Sequence, residues 1–179
     1  MVLVWYLDRA LALVSYPALY LAVLTGILYN AEAFGPLRDA ARRIHVEVSA
    51  LATMLVLAHG VIGLADVWSV LDGAAPVPDY GLPYLLAGSA VGVGALVVLV
   101  VAVLGFLDPR RFARPWSPRV VHAFAYGGFG FATLHAAAVG TDLAGFAVPG
   151  LVALVGFLAY VLALRALSHA SARVTARES

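Results

Sequence analysis

The chain lacks cysteine and lysine, and charged side chains of any kind are scarce. Of its 179 residues 12% are charged, two are methionine, and all eleven basic residues are arginine. Without cysteine, disulfides, thiolate metal sites and thiol redox chemistry are excluded. Two methionines are too few for a relay of soft copper ligands. Any metal chemistry of this chain must therefore use other ligands.

The shortage of charge accompanies an excess of apolar residues, which make up 63% of the sequence. A soluble domain of this length cannot bury so much apolar surface, so the surroundings must be lipid. Five stretches have the roughly 20 residues needed to cross a bilayer: 10–29, 44–65, 82–107, 120–140 and 143–167. The alternation typical of a membrane barrel is absent. The sequence predicts an all-α integral membrane protein, a multi-pass bundle of five transmembrane helices in the cell membrane.

Charge placement predicts the orientation of this bundle. Arginines cluster between the first and second helices, between the third and fourth, and after the fifth, whereas the opposite ends carry mainly aspartate. The positive-inside rule then places the N-terminus outside and the C-terminus in the cytoplasm. The first stretch is not a convincing signal peptide, because Asp8 precedes Arg9 and no cleavage site follows. We expect one transmembrane domain over residues 1–179 with no soluble domain, its longest loop being residues 66–81 on the outside.

Four of the five histidines fall inside predicted spans. His45 and His59 lie on the second helix, and His122 and His135 lie on the fourth, which runs in the same direction. His45 and His122 are therefore expected near the cytoplasmic end, and His59 and His135 near the outer end. Fourteen residues separate the first pair, about 21 Å along one helix face.

The thirteen-residue spacing of His122 and His135 does not return to the same helix face. The intervening Gly127, Gly128 and Gly130 would permit a kink that re-aims one imidazole. A second glycine group, Gly88, Gly92 and Gly94 on the third helix, forms a small-residue pattern that allows close helix approach. The alternative for that group is room for a flat cofactor.

Polar groups are costly in a membrane and tend to mark function. One metal ion cannot span both levels, and each level offers only two imidazoles. Two opposed imidazoles are what a six-coordinate haem iron needs, so the sequence predicts two b-type haems, with the four histidines as axial ligands. The alternatives are a haem or metal-ion transporter that uses the same histidines to bind its cargo, and a structural subunit in which the histidines are interhelical hydrogen-bonding groups.

The segments RRIHVEVSALATMLVLAHGVIGLAD and WSPRVVHAFAYGGFGFATLHAAAVGTD carry the histidine pairs with thirteen and twelve intervening residues. This pattern resembles the ferric reductase-like transmembrane domain, a family that includes ferric reductases, NADPH oxidases and the haem-binding membrane subunit of the methionine sulfoxide reductase system. The resemblance implies an inner haem on His45 and His122 and an outer haem on His59 and His135. The family domain commonly has six helices, with the haem ligands on the third and fifth. In this chain the histidines lie on the second and fourth helices, as though the first helix of the family were missing.

By this resemblance the protein would carry electrons from the cytoplasmic side to an outer acceptor, which would be ferric iron, oxygen or a protein. The sequence has no glycine-rich phosphate loop, so we expect a separate flavoprotein or a quinol as the donor. The chain is then an electron-transfer subunit of an oxidoreductase rather than a complete enzyme, with the lipid bilayer as its surroundings and no nucleic-acid partner.

Three arginines flank the inner histidine level: Arg42, Arg43 and Arg119. A guanidinium group is well suited to carboxylates, so these residues are candidates to bind the propionates of the inner haem. The alternative is that they only set the topology as interfacial charges.

Overall fold

The structure is a computed structural model that describes residues 2–30, 35, 37–112, 116–140 and 147–178. The regular elements in these ranges are helices: α1 Val2–Asn30, α2 Arg38–Leu71, α3 Leu82–Leu107, α4 Pro109–Phe112, α5 Pro118–Val139 and α6 Ala147–Glu178. The prediction of an all-helical chain is confirmed.

Three of these helices are long and apolar enough to cross a membrane, over Leu3–Tyr29, Arg38–Leu71 and Leu82–Leu107. A shorter apolar stretch, Val152–Leu167, lies in α6. The sequence of α5 is interrupted by Arg119, by two histidines and by three glycines, which lowers its apolar content. The chain thus has the helices of a membrane protein, with the two histidine pairs on α2 and α5.

Several helices are longer than their apolar stretches. α1 begins at Val2 rather than near residue 10, and α2 continues to Leu71, so the outer connection is shorter than the predicted loop 66–81. No glycine or proline interrupts the added segments, and α2 stops just before Gly73, whose φ of 79° is a conformation that favours glycine. α6 runs to Glu178, eleven residues beyond the predicted end of the last span at residue 167. The predicted start of the last span, residues 143–146, lies outside the described residues.

The helices pack as two antiparallel hairpins. α1 lies along α2, and α3 lies along α5, while α6 makes only light contact with α1 and α5. α2 and α5 run parallel, since the first histidine of one helix meets the first of the other, and the second meets the second. A buried cluster that includes Ala22, Ile27, Ala52 and Phe129 joins α1, α2 and α5. The small residues in this cluster let the helix backbones approach closely.

Glycine sets the separation of α3 and α5. A Cβ atom at Gly105 would overlap the side chain of Val121, and one at Gly88 would overlap Val139. On α5, a Cβ at Gly128 would lie 2.7 Å from Cγ of Leu99. Three contacts along the pair thus depend on the missing side chain. This close approach brings the histidines of α5 against the backbone of α3.

Replacing Gly105 by alanine should loosen the α3–α5 hairpin, because the added methyl group overlaps Val121. We expect the free energy of unfolding in mild detergent to fall by about 1–3 kcal/mol, the usual cost of overpacking. Gly94→Ala is the matched control on the same helix, since its Cβ would meet nothing within 4 Å. That variant should be neutral or more stable by up to about 1 kcal/mol. Equal losses in both variants would contradict this packing.

Candidate functional site

The four histidines of α2 and α5 meet in two pairs. The ring centroids of His45 and His122 are 6.0 Å apart, with 80° between the ring planes. The centroids of His59 and His135 are also 6.0 Å apart, with an angle of 56°. We call the first pair the inner pair and the second the outer pair, after the predicted orientation.

In the α1–α2 hairpin, Nδ1 of each histidine faces α1. Nδ1 of His45 is 2.8 Å from the carbonyl oxygen of Ala22, and the Ser49 hydroxyl lies 3.4 Å away. Nδ1 of His59 is 2.8 Å from Oδ1 of Asp8. Both atoms are buried, and among the described residues neither has a partner in hydrogen-bond geometry, so their contact is a close ion-pair contact. α1 therefore supplies a polar group to both histidines of α2.

The α3–α5 hairpin repeats this arrangement. Nδ1 of His135 is 2.8 Å from the carbonyl oxygen of Gly88. The main chain of Ala102 lies close to the His122 ring, but Nδ1 of His122 is buried and has no hydrogen-bond partner among the described residues. Because Nδ1 of His45, His59 and His135 faces the hairpin partner, Nε2 on the opposite edge of these three rings is left for the other histidine of the pair.

The polar partners are in register with the histidines. Asp8 and Ala22 on α1 are fourteen residues apart, and so are Gly88 and Ala102 on α3. His45 and His59 on α2 have the same spacing, which corresponds to about 21 Å along a helix. Four helices thus place their functional groups at the same two levels.

Two glycines, Gly26 and Gly92, leave room for imidazole rings, and we call them the glycine seats. A Cβ atom at Gly26 would lie 3.0 Å from Cε1 of His45, and one at Gly92 would lie 2.8 Å from Nδ1 of His135. Gly63 similarly leaves room for Asp8, whose Oδ1 would lie 3.1 Å from its Cβ. Of the small residues singled out on α3, Gly92 makes room for an imidazole, Gly88 for a valine, and Gly94 faces open space. The rings therefore lie directly against neighbouring helix backbones.

Both pairs open on apolar cavities between α1, α2, α3 and α5. The outer cavity measures about 510 Å³ and the inner one about 100 Å³. Leucine and valine side chains shared by both linings separate the two levels: Leu19, Val56, Leu96 and Leu99. Outside the spans, Tyr80 borders the outer cavity. Burial raises the pKa of its phenol, while Arg9 lowers it and Asp66 raises it further.

The three candidate arginines lie at the edge of the site. Arg42, Arg43 and Arg119 are exposed and form no hydrogen bond or ion pair with the described residues. Arg42 and Arg119 each precede a histidine of the inner pair by three residues, which is about one helical turn and the same face. Arg43 precedes His45 by two and points elsewhere.

Sequence reasoning missed the polar partners. Asp8 was expected outside the first span, although a carboxylate within the apolar run VLVWYLDRALALV was an available signal, since intramembrane charge tends to be functional. Ala22 and Gly88 act through main-chain carbonyls, so their side chains carry no signal. The expected kink in α5 is not seen as a break, because Pro118–Val139 is one continuous helix.

The pairs fit a metal held in line between two imidazoles. Such an ion needs ring centroids about 6 Å apart, because each metal–nitrogen bond is about 2.0 Å and each centroid lies about 1.1 Å behind its nitrogen. No group of three or more His, Cys, Asp or Glu side chains within the described residues can hold a metal ion. A metal on either pair would need its other ligands from a non-protein group, as in haem. The outer cavity, at about 510 Å³, lies within the roughly 300–1,000 Å³ of cofactor sites, whereas the inner one, at about 100 Å³, is smaller.

Comparison with known proteins gives one match, to the family described as Domain of unknown function (DUF8596), over residues 3–142. No curated protein and no solved structure matches the chain. The resemblance to the ferric reductase-like transmembrane domain therefore stays a prediction. The matched region contains α1 to α5, both hairpins and all four paired histidines. Because it covers most of the sequence, the chain belongs to the DUF8596 family.

Proposed function

We propose that the chain is a diheme b-type membrane cytochrome that transfers electrons across the bilayer, as in the ferric reductase-like proteins it resembles. In this proposal the bundle has five spans in the cell membrane, an outside N-terminus and a cytoplasmic C-terminus. A separate flavoprotein or a quinol gives electrons, and ferric iron, oxygen or a protein takes them on the outer side. The observation that carries the proposal is the two imidazole pairs with ring centroids 6.0 Å apart.

Three of the four rings have a contact at Nδ1 that would hold them for axial ligation through Nε2. A metal-ligating histidine commonly donates its second N–H to a carbonyl or carboxylate, which fixes the tautomer and the ring orientation. Nδ1 of His45, His59 and His135 has such an acceptor at 2.8 Å. His45 and His122 would hold the inner haem, and His59 and His135 the outer one. When bound, the two haem irons would supply one-electron redox centres.

The fixed rings favour resident cofactors over transported cargo. A transporter site must release its ligand, whereas each seated ring here lies between a hydrogen-bond acceptor and a glycine. The lack of a three-ligand group among the described residues also argues against a bare metal ion as cargo. A purely structural role as interhelical hydrogen-bonding groups does not explain why the centroids of the opposed rings are 6.0 Å apart, since the two imidazoles do not bond to each other.

Histidine substitution separates these possibilities. The purified protein should show a Soret band and a reduced α-band of b type, with about two haems per chain. His45→Ala or His122→Ala should remove one haem, and His59→Ala or His135→Ala the other, because each iron loses one of its two axial ligands. Absorption spectra with a pyridine haemochrome assay give the stoichiometry. Colourless protein made with ample haem, or loss of haem that does not follow these pairs, would refute the proposal.

The glycine seats give a test that leaves every ligand in place. Gly26→Ala should weaken only the inner haem, because its methyl group crowds His45, and Gly92→Ala only the outer one, through His135. We expect retention of the affected haem to fall by about tenfold, which corresponds to about 1.4 kcal/mol of overpacking. Gly94→Ala on α3 is the control and should keep both haems. Haem dissociation to an excess of apomyoglobin provides the measurement, and non-selective losses would count against these seats.

The arginines next to the inner pair should assist propionate binding weakly, since they are exposed. Arg42→Gln and Arg119→Gln should each lower retention of the inner haem by about two- to fivefold, as expected for exposed charge pairs worth up to about 1 kcal/mol. Arg43→Gln is the adjacent control and should have a smaller effect, because its side chain points away from His45. The same dissociation assay applies, and equal effects of all three substitutions would indicate that they act only as interfacial charge.

A further inference from the structure

One of the four histidines has a different kind of acceptor. Nδ1 of His45 and His135 each faces a main-chain carbonyl oxygen at 2.8 Å, and the main chain of Ala102 lies close to the His122 ring. Only His59 faces a carboxylate, with Oδ1 of Asp8 at 2.8 Å. Both side chains of this pair are 21% exposed, so the charge is shielded from bulk water on most sides.

The fold provides room for this carboxylate. Asp8 lies on α1 fourteen residues before Ala22, at the level where the other hairpin offers the Gly88 carbonyl. Gly63 on α2, four residues after His59, leaves space that a methyl group would take from Oδ1 of Asp8. The neighbouring Arg9 stacks its guanidinium over the Trp5 ring at 4.1 Å. An apolar residue at position 8 would leave Nδ1 of His59 without its only described partner.

A carboxylate acts on a ligand histidine more strongly than a carbonyl does. It carries a full negative charge, and by accepting the Nδ1–H it raises the basicity of the imidazole toward a metal. Charge and hydrogen bonding around the axial ligands are among the levers that set a haem potential. Both effects favour the oxidised iron, and they are larger away from water.

We infer that Asp8 is a positioning residue whose carboxylate, 2.8 Å from Nδ1 of His59, makes this imidazole a stronger donor than the other three and lowers the reduction potential of the outer haem. The inference rests on the proposed function. It assigns different redox properties to the two levels of otherwise similar hairpins. The reduced outer haem is then a stronger reductant than it would be with a neutral hydrogen-bond acceptor at His59.

Asp8→Asn tests the charge alone, because asparagine keeps the size and one oxygen acceptor. The potential of each haem can be measured alone in a variant that retains only that haem. His122→Ala should leave only the outer haem, and His135→Ala only the inner one. In the His122→Ala background, Asp8→Asn should shift the equilibrium toward reduced haem by tenfold or more, about 59 mV for a one-electron couple. In the His135→Ala background the potential should not change. Redox titration followed at the α-band gives both values.

Asp66→Asn is the matched control, since Asp66 is a second carboxylate lining the outer cavity that does not touch His59. It should shift the outer potential much less. An unchanged outer potential in Asp8→Asn, or equal shifts at both levels or with Asp66→Asn, would overturn the inference while leaving two haems and the proposed function intact. A wild-type protein without haem would instead refute the proposed function.

A second variant applies if Asp8→Asn does not retain the outer haem. Gly63→Ala keeps the carboxylate but crowds it away from His59, so the outer potential should rise in the same direction by a smaller amount. Gly130→Ala is its control, because a Cβ there meets nothing within 4 Å. No difference between these two alanine variants would also overturn the inference.

Discussion

An imidazole inside a membrane has two ring nitrogens to satisfy, and in this fold the neighbouring helix satisfies one of them. Nδ1 of His45 and His135 meets a main-chain carbonyl at 2.8 Å, and Nδ1 of His59 meets Asp8 at the same distance. An unpaired polar group is costly in the absence of water, so these contacts fix which way each ring turns. The Nε2 edge then faces the opposite histidine. The geometry of both pairs follows from this one requirement.

A main-chain carbonyl that belongs to a helix can accept a side-chain hydrogen bond only if the donor comes very close to that helix. The glycines make this possible, because Gly26 lies under the His45 ring and Gly92 under the His135 ring. Each seat is four residues after its acceptor, Ala22 or Gly88, which is about one helical turn. Acceptor and seat thus form one surface of the helix. The two hairpins, α1–α2 and α3–α5, use the same local solution although their sequences differ.

The helices and the two levels of histidines could be predicted from the sequence, because the length of an apolar segment and a fourteen-residue spacing can be read directly from it. The groups that contact Nδ1 of the histidines could not be predicted in the same way. The acceptors at Ala22 and Gly88 are backbone atoms, which every residue has. Gly92 and Gly94 look equivalent in sequence, yet only Gly92 meets a ring, since the contact depends on the neighbouring helix. Asp8 lies outside the apolar stretch that begins at residue 10, whereas α1 includes it because the helix begins at Val2.

The spacing on α5 accounts for the hydrogen bond that Nδ1 of His122 lacks. The acceptors on α3 are fourteen residues apart, but His122 and His135 are thirteen apart on an unbroken helix. One residue changes the direction of a side chain by about 100° and its height by about 1.5 Å. Both rings of α5 therefore cannot reach α3 equally well: His135 bonds to Gly88, and His122 falls short of Ala102. On α5 the mismatch leaves Nδ1 of His122 without a hydrogen bond, while the 6.0 Å distance between ring centroids across to α2 is kept at both levels. The distance between the opposed rings is thus the same at both levels, whereas the contacts of Nδ1 with the neighbouring helices differ. This is expected if the two rings of each pair bind the same metal centre.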